Sequence, residues 1–159
     1  MNRSLMIRTG TVAAAIALAG GVAIATTAGA ATSSAQSPLT LVETVNAFHS
    51  IDAPAPAADG KAGDTIIFES TLRTKAGAKA GTLEGYCLQI RADGSLDDCD
   101  VTVTLGADSY RMAGPFDPTT GGTLTITGGT GSLVGAGGTD KIVNQPDGTA
   151  IHTVTLTRR

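Results

Sequence analysis

The chain has 159 residues, 42% of them hydrophobic but only 3% aromatic and 16% charged, with 21 Gly and no Trp. That is one domain's length; glycine at this density without a three-residue period excludes collagen, and apolar strand-like runs with modest charge argue against full disorder. A net charge of −3 with 11 Lys and Arg removes the electrostatic footprint that nucleic acid or an anionic membrane surface demands.

In chain order, Arg3 and Arg8 precede an apolar run over 12–24, and the small residues Ala28-Gly29-Ala30 follow it. This is the layout of a cleavable secretory signal over 1–30. A membrane anchor is the weaker reading, because the run is rich in Ala, Gly and Thr and falls short of the ~20 strongly apolar residues a span needs. Removing the segment takes two of the 11 basic residues and no acid, leaving a balance of −5 in a secreted, extracellular chain. Residues 31–38 read as a disordered leader, and 39–159 as one β-barrel domain.

From there on, alternating and β-branched runs bounded by Gly, Asp and Pro recur, and no window carries an apolar helical stripe. The predicted strands are 40–48, 64–72, 81–90, 99–105, 109–113, 122–127, 133–143 and 150–157, with an irregular Pro- and Ala-rich connection over 52–63. Turn signals at Asp93-Gly94, Gly121-Gly122 and Asp147-Gly148 make neighbouring strands antiparallel hairpins. Eight short strands imply an all-β fold, a closed antiparallel barrel or a sandwich, and closure removes the exposed edges.

Cys87 and Cys99 fall in the exported part, where a disulfide is the leading reading. The hairpin around Asp93-Gly94 admits two registers. A two-residue turn gathers Tyr86, Leu88, Ile90 and the valines of the next strand on one apolar face but separates the cysteines. A three-residue loop with Gly94 left-handed sets Cys87 opposite Cys99 and turns Tyr86, Leu88 and Ile90 outward, which requires another subunit to cover them. The second register is preferred because it permits the bridge. No metal is expected: two cysteines without a C-x-x-C spacing and two scattered histidines, His49 and His152, make no ligand set.

Gly63-Asp64, Phe68, Leu72, Gly81-Thr82, Gly85, Cys87, Ile90, Gly114-Pro115-Phe116, and the run ITGGTGSLVGAGG from Ile126 to Gly138 form one ordered series. In that order and spacing the chain, from Gly63 to about Arg159, resembles the allene oxide cyclase and dirigent superfamily. The resemblance implies an eight-stranded antiparallel barrel, calycin-like, with a hydrophobic cavity, and a homo-oligomer, trimer or dimer. It implies no cofactor. Gly128–Gly131 read as a tight corner; a phosphate-binding loop would want a following helix and a Lys.

The family's catalytic positions carry over poorly. Its cavity cysteine corresponds to Cys87, its asparagine falls at Ser70, its tyrosine at Phe116, and its first-strand acid and asparagine have no clear counterpart, the nearest residues being Glu43, Asn46 and His49. The resemblance places Ser70 and Cys87 inside. Parity then puts Ile66, Phe68 and Leu72 inward with Gln89 and Arg91, while Val101 and Val103 share the face of Cys99, and His152 that of Val154 and Leu156. The candidate cavity lining is therefore Ile66, Phe68, Leu72, Val101, Val103, Phe116 and Val154, and the candidate catalytic groups are Ser70, Arg111 and His152, with Tyr110 beside Arg111. Asp97, Asp98 and Asp100 follow a turn and read as solvated carboxylates.

No sequence motif of a hydrolase is present. The function the resemblance implies is a secreted barrel that binds a small hydrophobic molecule and steers its cyclisation or stereochemistry, an isomerase-type reaction. The alternatives are a non-catalytic carrier of a lipophilic ligand and a barrel filled by its own side chains.

Overall fold

The computed structural model describes residues 37–53 and 62–158. The predicted signal segment, nearly all of the predicted leader and the middle of the Pro- and Ala-rich connection lie outside them. Among the described residues the strands are β1 (Leu39–Ile51), β2 (Thr65–Thr74), β3 (Lys79–Gln89), β4 (Asp97–Leu105), β5 (Asp108–Asp117), β6 (Gly121–Thr130), β7 (Ala136–Asn144) and β8 (Thr149–Arg158). Each pairs antiparallel with the next, and β8 pairs with β1, so the sheet closes into a barrel. All eight predicted strands form.

Alternation builds the interior. In β4, Asp97, Cys99, Val101 and Val103 are buried and the residues between them are not. The pattern persists because each strand has one face on the interior and one on solvent. One irregularity redirects it. In β1, Val45 pairs with Ser70 but Ala47 pairs with Glu69, leaving Asn46 as an extra residue. This bulge inverts the parity, so that Val45 shares the face of the buried Leu41 and Glu43 before it and Phe48 shares the face of Phe68 after it, with Val45 and Phe48 exposed at the open rim.

Cys87 lies directly opposite Cys99 and the two are bridged. Gly94 takes the left-handed backbone (φ 69°), as the preferred register requires. The consequence for Tyr86, Leu88 and Ile90 follows: all three are exposed.

The glycine corner lies later than expected. Strand β6 continues through Gly128 and Gly129 to Thr130, and a 3₁₀ turn over Gly131–Leu133 intervenes before β7, which begins at Ala136 rather than at 133. Gly131 and Gly135 hold the positive φ angles. Gly129 serves differently: a Cβ there would sit 2.6 Å from the Leu133 carbonyl, so only glycine lets the turn fold back on the strand.

The barrel's two ends differ. At the end where β1 begins and β8 finishes, Leu41, Leu72, Val103, Tyr110, Ile126 and Val154 pack into a solid plug, and Leu133 of the 3₁₀ turn closes over it. At the other end the interior opens.

Candidate functional site

The open half holds a cavity of about 520 Å³, within the range typical of small-molecule sites. Its wall is mostly apolar, from Phe68, Leu83, Val101, Met112 and Leu124, with the Cys87–Cys99 disulfide as part of it and Phe48 and Phe116 toward the mouth. Four predicted lining residues, Ile66, Phe68, Val101 and Phe116, border the cavity. Leu72, Val103 and Val154 face inward but belong to the plug beneath it. Parity decides the face a side chain takes and says nothing of its depth along the barrel axis. Arg91 is a correction: it lies past the end of β3 and is exposed, whereas Gln89 is buried.

The floor of the cavity is ionic. His152 on β8 sits between β7 and β1, and its register partners are Ile142 and Leu41. Asp140 faces Val154, two residues beyond His152, and Glu43 faces Ala150, two residues before it. Both acids are thus diagonal neighbours on the inner face, within reach of the ring. Nδ1 of His152 lies 2.8 Å from Oδ2 of Asp140, and Nε2 lies 2.9 Å from Oε2 of Glu43. A carboxylate oxygen at each ring nitrogen favours the imidazolium, in which both nitrogens donate.

Burial opposes charge on His152, but the hydrogen bonds to Asp140 and Glu43 and the charges of the two acids outweigh it, lifting its pKa to about 9. Burial likewise opposes ionisation of Glu43, and its bond to His152 more than compensates, holding it below the usual carboxylate range. Glu43 and His152 border the cavity; Asp140 lies beneath, fully buried. The two acids engage opposite sides of the ring and do not converge on a common point. Among the described residues no three His, Cys, Asp or Glu side chains form a cation-binding group.

Two further polar groups lie buried in the interior. The Ser70 hydroxyl has no hydrogen bond of ordinary geometry, yet it stands near enough to Glu43 to help keep that carboxyl ionised. Tyr110 is buried with its hydroxyl unpartnered, and burial followed by the charge of Asp140 pushes its pKa far above the ordinary phenol value.

Of the three candidate catalytic groups, the structure brings Ser70 and His152 together around Glu43 and leaves Arg111 apart. Arg111 sits between the inward Tyr110 and Met112 and therefore points outward; its side chain is 62% exposed and paired with Asp100. Its alternation with two buried neighbours is the physical reason it does not reach the cavity. Asp97 corrects the reading of a solvated acidic cluster: it is the first inward residue of β4, only 2% exposed, and lines the cavity, whereas Asp98 is exposed. Sequence reasoning named Glu43 only as the nearest residue to the family's first-strand acid, gave it no role, and passed over Asp140. The signal was present, since each is an acid at an inward position in an otherwise apolar alternation: Leu41-x-Glu43-x-Val45, and Asp140-x-Ile142.

No family model matches the chain, and no curated protein does. Solved structures do. Pyocyanin demethylase is 24% identical, with a TM-score of 0.65 over 76% of this chain and 99% of that one. The pterocarpan synthase dirigent protein GePTS1 is 11% identical, with a TM-score of 0.61 over 79% and 86%. The Diels-Alderase AbmU from Streptomyces koyangensis is 19% identical, with a TM-score of 0.61 over 82% and 71%. The fold is that of the dirigent and cyclase barrels. At these identities the likeness is one of architecture, and what this barrel does is read from its own interior.

Proposed function

We propose that this is an exported dirigent-like barrel that binds a small apolar molecule in its cavity and steers the molecule's ring closure. The observation that carries the reading is an apolar cavity of about 520 Å³ with a single ionic floor built by Glu43, His152 and Asp140. Solved structures of the same fold include a dirigent protein and a Diels-Alderase, which supports ring closure as the reaction class.

The mechanism is mostly shape. A flexible substrate folded against Phe68, Val101 and Met112 has its reacting ends held together, and orientation of that kind lowers a barrier without any group changing its bonds. Glu43 supplies the electrostatic part. Its carboxylate is fixed by His152 before the substrate arrives, so it stabilises positive charge that develops at the substrate's buried end with no reorganisation cost. Asp140 is a positioning residue, holding the imidazolium that holds Glu43. The disulfide and the N-terminal apolar segment support export.

The test is incubation of the purified protein with polyene, phenoxy-radical and epoxide substrates, followed by chiral chromatography. Altered product ratios or enantiomeric excess are expected; unchanged distributions across the whole panel overturn the reading. A carrier function is the second reading, favoured by Phe116, which has no hydroxyl where the cyclases have one. Native mass spectrometry of protein from its own source separates the two, by recovering a bound molecule unchanged or transformed.

A further inference from the structure

We propose that the ligand of this cavity is a small apolar molecule bearing a positive charge, seated with its charged end against the Glu43 carboxylate. The inference rests on the ligand-binding reading above and adds the ligand's charge class to it.

The argument begins with charge balance. Two carboxylates, Glu43 and Asp140, share one imidazole. With one proton beyond a neutral ring shared among the three groups, whether it sits on His152 or on one of the acids, the triad carries one net negative charge, so the floor is negative in either arrangement. Glu43 is the member that faces the cavity together with the ring, and only its Oε2 is engaged by His152. Beside it the Ser70 hydroxyl is fully buried and lacks a partner of ordinary geometry.

The wall adds no compensating cation. Among the described residues that line the cavity there is no Lys and no Arg, and the remaining ionisable side chain, Asp97, is another acid. Arg111 is on the outer face, committed to Asp100. A carboxylate-bearing ligand would therefore be desolvated against Glu43, and the lining's one candidate cation, His152, already has both ring nitrogens engaged by acids. A cationic ligand gains from the same field, which apolar walls strengthen. This selects against fatty-acid anions, the ligand class that an apolar barrel interior would otherwise suggest.

The experiment uses three probes of one size: 1-naphthylmethylammonium, 1-naphthalenemethanol and 1-naphthoate, titrated at pH 7 by naphthalene fluorescence. The chain has no Trp to interfere. The ammonium is expected to bind at least tenfold more tightly than the alcohol, and the naphthoate more weakly than both. In Glu43→Gln, checked for folding by far-ultraviolet circular dichroism, the preference for the ammonium falls to within threefold. If all three bind wild-type protein equally, or the naphthoate binds best, the charge inference is overturned while the binding reading stands. If none binds at millimolar concentration, the binding reading falls and this inference falls with it. The order of the three on the wild-type chain decides the matter even where the variant fails to fold.

Discussion

Oδ2 of Asp140 lies 2.8 Å from Nδ1 of His152, and neither side chain is reached by solvent. A buried histidine held between acids makes stability depend on pH in a direction that can be worked out.

The folded pKa of His152, about 9, stands above the ordinary 6.5. Its contribution is complete below about pH 6.5 and is lost as pH rises through about 9. The shift corresponds to an order of 3 kcal/mol. Urea denaturation at pH 6.5 and pH 10 should show the loss, and His152→Gln should be less stable at pH 6.5 and lose most of the dependence. A wild-type midpoint that stays level to pH 10 refutes the ion triad. Glu43, lowered, acts in the opposite sense: its contribution is lost as pH falls below the ordinary carboxylate range.

The Cys87–Cys99 bridge joins directly opposed residues 12 apart in sequence. Removing it should cost about 3 kcal/mol on the chain-entropy model. Alkylation and mass spectrometry of the unreduced, unfolded protein should find no free thiol. The Cys87→Ser/Cys99→Ser variant should unfold at lower urea; equal midpoints would mean that the neighbouring strands alone hold this register.

Plug and wall should respond differently to truncation. Leu72→Ala, in the packed end, should lose about 2–5 kcal/mol and change ligand affinity little. Phe68→Ala, half-buried at the cavity wall, should lose less stability and more affinity. Matching effects at the two sites would erase the division of the interior.

On the outside, Ile67 lies directly opposite Tyr86, and they are 45% and 47% exposed, with Leu88 and Ile90 beside them. Sedimentation velocity should find a homo-oligomer, and Tyr86→Lys should shift it toward monomer. A wild-type monomer at high micromolar concentration would leave the patch to some other partner.

Strand count and the face of most side chains were legible in the sequence because alternation records which side of a sheet is dry, whereas the choice of a closed barrel over a sandwich came from the family resemblance. His152 could be placed inward from its neighbours Val154 and Leu156 alone. Three things were not legible. The bulge at Asn46 has no composition signal, so the turn of Phe48 to the face of Phe68 could not be foreseen. Depth along the barrel axis comes from tertiary closure, so Leu72 and Phe68 looked equivalent. The roles of Glu43 and Asp140 depend on a partner from another strand, which alternation within one strand does not record. Glu43 and Asp140 are affordable inside only because a histidine from the strand between them, distant in sequence from Glu43, completes the charge pair.

An even number of antiparallel strands returns the chain to the side where it started. Leu39 and the last turn of β8 therefore leave from the plugged end, opposite the mouth bordered by Phe116, Gly148 and Thr149. A tag, a fusion partner or a surface linkage attached where β8 ends will leave the entrance facing outward. An immobilised form of this barrel should exchange ligand as freely as the one in solution.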